Sequence, residues 1–140
     1  MEKLTNKIPP ETERYLNNFY QPYITAYKFL ELFFAVLYKQ GTTRYQREFS
    51  EIIRTAKEQE KFKNLLQDIH FKSNGIYYYS DQIDEGISSL KVCELIETVS
   101  PQEKIIVINY TENIVNMILS QYSADDIEKV TEIIMINNHK

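Results

Sequence analysis

The sequence predicts a mainly α-helical domain that carries one small β-hairpin. Apolar residues recur at helical spacing between residues 22 and 40, and again between residues 45 and 56. Two runs of β-forming residues, 95–99 and 104–108, flank a Ser-Pro-Gln-Glu turn, which is the pattern of a hairpin. A chain of 140 residues is long enough for a single domain with its own hydrophobic core.

The helical part of this prediction covers residues 11–72. A short helix is expected over residues 11–18. A second should begin at Pro22, which suits a first helical position, and run to about Gln40, where Gly41 ends it. Because the second helix is apolar almost all round, we expect it to lie at the centre of the core.

The following segment is predicted to be helical as well. Residues 43–46 (Thr-Arg-Tyr-Gln) have the form of a capping box, so a helix should start there. Its apolar positions form a single face: Tyr45, Phe49, Ile52, Ile53 and Ala56. A further stripe predicts a continuing or separate helix that ends near His70: Phe62, Leu65, Leu66 and Ile69.

The remaining chain divides into residues 73–110 and residues 111–138. The first part holds a short run of β-formers at residues 76–79, a helix capped by Ser80 or Asp81, and the hairpin. The second part holds two helices, which begin at Thr111 and near residues 123–126. These two helices are also where a homodimer could pair its subunits.

Residues 80–109 resemble the third helix and wing of winged-helix domains. In that superfamily a helix with inward apolar residues ends in a pattern like L-x-x-x-G-L-I and leads into a two-stranded hairpin. The matching residues are Ile83, Ile87, Leu90, Leu95 and Ile96. Glu94 stands where a glycine is usual, so it must either adopt the left-handed conformation or leave the helix differently.

The resemblance implies DNA binding through the helix at 81–91, but the residues of that helix oppose it. Asp81, Asp84 and Glu85 lie at its start, and Lys91 at its end is its one base. Since DNA recognition begins with cations that neutralise phosphates, three carboxylates at the entering end would be repelled. Acids also simply stabilise a helix N-terminus.

Charge is unevenly distributed along the chain, whose formal net charge is −4. Residues 39–72 carry eight bases and five acids, whereas residues 73–140 carry four bases and eleven acids. The first ten residues contain no apolar signal-peptide core, and the longest apolar stretch is too short to span a membrane. We therefore expect a cytoplasmic protein, bacterial or phage in origin, without membrane contact.

The leading functional hypothesis is a module that binds another protein. Tyrosine is unusually frequent, with 11 copies, and three of them are consecutive at residues 77–79. Tyrosine is enriched in interfaces because it buries a large area while keeping a polar tip. The expected contact surface combines these tyrosines with the acidic helix start: Tyr77, Tyr78, Tyr79, Asp81, Asp84 and Glu85.

Two other function classes stay open. A DNA-binding transcriptional regulator would use the basic middle of the chain: Arg44, Arg47, Arg54, Lys61 and Lys63. An enzyme of unknown class is the third hypothesis, although the sequence offers no nucleophile with a nearby base, no metal-ligand spacing and no cofactor motif. Cys93, the single thiol, is expected to be buried and inert.

Overall fold

A long apolar helix, α1 (Ala26–Lys39), lies at the centre of the structure, a computed structural model that describes residues 24–99 and 104–136. Nine of its residues are buried, and three further helices pack around it. The mainly α-helical class with a small antiparallel sheet is therefore confirmed, as is the central place of this helix. It begins later than predicted, because the Thr25 hydroxyl caps it by accepting from the Lys28 N–H. The helix predicted over residues 11–18 and its neighbour Pro22 lie outside the described residues.

The chain leaves α1 through a left-handed glycine and enters a strand, not a helix. Gly41 has a φ of +89°, and the Leu37 carbonyl accepts from the Thr42 N–H at 2.9 Å. Strand β1 (Arg44–Gln46) follows. The helix predicted to follow the capping box is present, but its predicted start at residues 43–46 is wrong: a 3₁₀ turn, Arg47–Phe49, follows the strand, and the α-helix begins at Ser50. The reason for the later start is tertiary: β1 pairs with residues 105–107, far along the chain, and that ladder satisfies its backbone.

Three strands form an antiparallel sheet in which residues 105–108 lie between β1 and residues 96–99. Strands β4 (Ile96–Val99) and β5 (Ile105–Ile108) make the predicted hairpin, with Ile96 opposite Ile108 and Val99 opposite Ile105. The predicted turn between them, residues 100–103, lies outside the described residues. The sheet places β1 beside the hairpin, so the basic middle of the chain and the later hairpin belong to one structural unit.

Helix α2 (Ser50–Lys57) is followed by an irregular segment that replaces the helix predicted near residues 62–70. A short 3₁₀ turn, Glu60–Phe62, leads into successive turns. The apolar stripe is nevertheless buried: Phe62, Leu65, Leu66 and Ile69. The predicted helix is wrong here, and two backbone groups that a helix would pair with each other bind side chains instead: the Lys57 ammonium donates to the Leu66 carbonyl, and the His70 N–H donates to the Gln82 side chain, both at 2.9 Å. The segment ends in a two-stranded hairpin, β2 (Lys72–Ser73) and β3 (Tyr78–Tyr79).

Three capped helices complete the described part of the chain: α3 (Asp81–Val92), α4 (Glu112–Leu119) and α5 (Ala124–Ile136). Side-chain hydroxyls cap all three at the predicted places, with Ser80, Thr111 and Ser123 each accepting a backbone N–H. The predicted inward residues of α3 are buried: Ile83, Ile87 and Leu90.

The way the chain leaves α3 explains the left-handed conformation of Glu94 and the exposure of Cys93. Glu94 adopts the left-handed conformation with a φ of +64°, the first of the two alternatives open to it. The Leu90 carbonyl then accepts from the Leu95 N–H at 3.0 Å, and the Lys91 carbonyl from the Glu94 N–H at 2.9 Å, which is a Schellman ending. Cys93 is exposed, so its predicted burial is wrong. It follows the last turn of α3, beyond Leu90, the last residue of the buried face.

Candidate functional site

A surface groove of about 600 Å³ lies where the β2–β3 hairpin meets the starts of α2 and α3. Residues 77–80 form one wall, and Ile83 and Asp84 of α3 continue it. The rest of the lining comes from Arg47, just before α2, and from Ser50 and Glu51 at its beginning. We call this site the tyrosine groove. Its volume falls within the range of ordinary ligand and peptide pockets.

Hydrogen bonds within the turn of the β2–β3 hairpin fix the backbone that carries the tyrosines. The Asn74 side-chain oxygen accepts from the backbone N–H groups of Ile76 and Tyr77 at 2.9 and 3.0 Å. This Asx turn leaves Ile76 87% exposed and Tyr77 58% exposed. The rings of Tyr77 and Tyr79 meet edge to face, with their centroids 6.2 Å apart. The hairpin therefore presents a preorganised aromatic and apolar surface.

Tyr78 separates the tyrosine groove from a second depression of about 520 Å³. The Arg54 guanidinium carbon lies 4.3 Å from the centroid of the Tyr78 ring, a cation–π contact. Arg54 also donates to Glu51 at 2.9 Å. This hydrogen bond is the main reason that the pKa of Arg54 is raised. Arg54 of α2, stacked on Tyr78, thus connects α2 to the β2–β3 hairpin.

Ion pairs surround the groove. Arg47 lies 3.5 Å from Asp84, and Lys72 lies 2.8 Å from Asp81. The hydrogen bond with Asp81 raises the pKa of Lys72, so this lysine stays cationic. Two bases from the basic stretch at residues 39–72 therefore pair with two carboxylates of the predicted protein surface. The two sets, which the sequence presented as alternatives, meet at one place.

Most of the predicted protein-binding residues come together here. The three tyrosines and Asp84 line the groove. Asp81 lies beside it and accepts a hydrogen bond from Lys72 of β2. Glu85 is exposed, but it is not among the groove's lining residues.

The predicted DNA-binding residues do not form one basic surface. Arg47 and Arg54 reach the tyrosines, whereas Lys61 pairs with Glu132 of α5 at 2.6 Å. Lys63 lies 3.4 Å from Glu60. Arg44 is exposed on β1, opposite Val107. The aromatic residues interleaved with these bases belong to the core: Phe62 is buried, and Tyr45 packs on Phe33 and Phe49.

The sequence did not reveal three participants: Ser50, Glu51, and Ile83 as part of the groove. Each has an ordinary local interpretation as a helix start, a surface ion pair or a core position. Only the packing of α2 against the hairpin brings them to the tyrosines. No pattern within the sequence of either segment could have indicated this.

Within the ranges 24–99 and 104–136, no helix is long and apolar enough to cross a membrane. In the same ranges, no three histidine, cysteine, aspartate or glutamate side chains gather where they could hold a metal ion.

Comparison with known proteins yields no relative: no family model, no curated protein and no solved structure matches this chain.

Proposed function

We propose that this protein is a non-enzymatic, protein-binding regulatory module that works through the tyrosine groove. The observation that carries the proposal is the pairing of exposed aromatic side chains with a rim of mutually neutralised charges. Protein interfaces typically have such an aromatic centre and polar rim. A surface for the DNA backbone instead needs cations that are available to phosphates.

The electrostatics of the groove favour a protein over DNA. Arg47 is engaged by Asp84, and Arg54 is engaged by Glu51 and stacked on Tyr78. Binding to phosphates would have to replace these contacts and would bring the backbone close to three carboxylates on the first turns of α3. We therefore place DNA binding second, as the competing outcome of the test below.

We further propose that α3 and the β4–β5 hairpin form a winged-helix-like unit. Support comes from the inward face of α3, from Glu94 in the left-handed conformation where that superfamily usually has glycine, and from the hairpin that follows directly. The unit would then serve as a scaffold for the β2–β3 hairpin, which carries the tyrosines and precedes α3 in the chain.

The test is site-specific photocrosslinking in the cells that encode the protein. A p-benzoylphenylalanine replaces Tyr77, or Val92 as the matched control, because both side chains are exposed and Val92 lies at the far end of α3. We expect a discrete adduct from position 77 that protease removes and nuclease leaves intact, and no such adduct from position 92.

Duplex DNA provides the opposing measurement. Fluorescence anisotropy with mixed-sequence duplex at low and moderate salt should show little binding, and Tyr77→Ala should not change it. A nuclease-sensitive adduct would contradict the proposal. So would duplex binding that falls steeply with salt and is lost in Arg47→Ala and Arg54→Ala, and either result would establish the DNA-binding alternative.

Pairing of two subunits through residues 111–138 stays a prediction. Met117 of α4 and Met135 of α5 are exposed, and they are the side chains that such an interface would cover.

A further inference from the structure

We infer that Asn74, in the turn of the β2–β3 hairpin, is a site of spontaneous deamidation, and that the hydrogen bonds of this turn promote the reaction. Water is the co-reactant, so the reaction needs no partner and is independent of the proposed function. Three features of the turn carry the inference: the glycine that follows Asn74, the hydrogen bonds to the Asn74 side chain, and the hydroxyl that accepts the Gly75 N–H.

Asn74 is the one asparagine of the sequence that a glycine follows. Deamidation starts when the backbone nitrogen of the next residue attacks the side-chain carbon Cγ, and a side chain on that next residue hinders the approach. Gly75 has no side chain, and a Cβ atom built there would have no neighbour within 4 Å. Asn74 and Gly75 are both exposed. The reacting atoms are therefore open to water and to closure of the ring.

The Asn74 side-chain oxygen lies where negative charge on it is stabilised. The backbone N–H groups of Ile76 and Tyr77 donate to Oδ1 at 2.9 and 3.0 Å. Attack on Cγ places negative charge on this same oxygen. Two N–H donors directed at an oxygen that becomes an oxyanion lower the barrier to a tetrahedral intermediate, as they do in acyl-transfer enzymes. The Asx turn that presents the tyrosines therefore also activates its own asparagine.

The attacking nitrogen has an acceptor for its proton. The Gly75 N–H donates to Ser73 Oγ at 3.1 Å. A hydroxyl both accepts and donates, so Ser73 can take this proton while it passes its own to water. Because the nitrogen becomes nucleophilic as it loses its proton, we expect this hydrogen bond to favour the attack and the rate to rise with pH.

The overall reaction consumes one water molecule and releases one ammonia. The Gly75 nitrogen forms a bond to Asn74 Cγ and gives its proton to solvent. The bond from Cγ to Nδ2 then breaks, and Nδ2 takes up a proton and leaves as ammonia. Water adds to one of the two carbonyl carbons of the resulting succinimide ring and reopens it, as aspartate or as isoaspartate.

The two products change the hairpin differently. Aspartate keeps the side-chain oxygen that the turn uses and adds a negative charge. In isoaspartate the former side-chain carbonyl belongs to the main chain, so the turn is one carbon longer and the Asx hydrogen bonds are lost. Because turn length fixes the register of a hairpin, the pairing of Ser73 with Tyr78 must then change. Deamidation with time thus alters the surface that carries the tyrosines.

Peptide mass mapping of the full-length protein during incubation in mildly alkaline buffer measures the reaction, with digestion in acid so that it adds no deamidation of its own. Asn64 and Asn109 are internal controls, because both are exposed and precede larger residues. We expect Asn74 to lose its amide about tenfold faster than either control, since glycine leaves its own nitrogen unshielded. Equal rates at the three positions would overturn the inference.

The contribution of the turn is measured by repeating the incubation in guanidinium chloride, which removes the turn and leaves the Asn-Gly sequence. We expect deamidation at Asn74 to slow there by about three- to tenfold, because the hydrogen bonds to Oδ1 and from Gly75 are lost. An equal or faster rate in the denaturant would mean that the turn does not promote the reaction, and would overturn that part of the inference.

Two variants at residue 73 test the hydroxyl while Gly75, whose φ is +92°, stays unchanged. Ser73→Ala removes the proton acceptor, and we expect it to slow deamidation of the folded protein by about two- to fivefold. Ser73→Thr keeps a hydroxyl and should retain the original rate. Circular dichroism establishes that both variants are folded, and equal rates in the two would overturn the role of Ser73.

Discussion

Within residues 24–99 and 104–136, Glu94 is the one non-glycine residue with a positive φ, a backbone conformation that its side chain disfavours. It occupies the left-handed region at φ +64° so that α3 can end in two backbone hydrogen bonds. A side chain with a Cβ atom is strained in that region, typically by about 1–2 kcal/mol, and glycine is not. Glu94 adopts this conformation because the two hydrogen bonds that end α3 and the start of β4 both require it.

Glu94→Gly should therefore raise the free energy of unfolding by about 1 kcal/mol. The measurement is urea denaturation followed by circular dichroism. The matched control is Glu85→Gly, inside α3, which should lower it by about 1 kcal/mol because glycine disfavours a helix interior. A destabilised Glu94→Gly variant would mean that the glutamate side chain makes a contribution larger than its backbone strain.

At the scale of elements, the close approach of α3 to α1 depends on a residue without a side chain. A Cβ atom built on Gly86 would lie 2.5 Å from a methyl carbon of Leu30, and Leu30 is fully buried. The α-carbon of Tyr27 lies 3.7 Å from the same position. Gly86 thus sets the distance between the central helix and the helix that borders the tyrosine groove.

We expect Gly86→Val to lower the free energy of unfolding by about 2–3 kcal/mol, because the added carbons must displace a packed core side chain. The comparison variant is Ser88→Val, which introduces the same β-branched residue at an exposed position of the same helix. Its effect should stay within about 0.5 kcal/mol. Similar thermal denaturation midpoints for the two variants would contradict this account of the α1–α3 contact.

Over the whole molecule, tyrosine hydroxyls close the junction between α1 and the two C-terminal helices. The buried Tyr110 donates to the Glu31 carbonyl at 3.0 Å, and Tyr122 donates to the Lys28 carbonyl at 3.5 Å. Burial raises the pKa of Tyr27 and Tyr122 to about 12, and the Glu31 carboxylate adds to both shifts. Burial raises the pKa of Tyr110 as well.

These shifts predict a loss of stability in alkali. Tyrosines lose their protons near pH 10 in the unfolded chain, whereas Tyr27 and Tyr122 keep theirs to about pH 12 in the fold. Raising the pH from 10 to 12 therefore favours unfolding, and the stabilisation is fully present below pH 10. Urea titrations at several alkaline pH values should show this decline, with a smaller slope for Tyr122→Phe. An unchanged slope in that variant would exclude Tyr122 as a contributor.

Much of this architecture follows from local sequence. Ser80, Thr111 and Ser123 mark helix starts because a hydroxyl that accepts a nearby N–H acts within four residues. The apolar periods of α1 and α3 indicate which faces are buried, and the stripe from residue 62 to residue 69 indicates burial even though its helix was wrong. Periodicity reports burial reliably, but it reports backbone conformation only where no distant partner intervenes.

What tertiary structure alone decided is where distant segments meet. Strand β1 exists because β5 supplies its hydrogen-bond partners, so the capping pattern at residues 43–46 could not predict it. The tyrosine groove arises in the same way. The sequence by itself determined that three consecutive tyrosines stand at residues 77–79, and that acids begin α3. Only packing placed Arg47 and Glu51 opposite them, because side chains far apart in sequence come together through the core on which their elements rest.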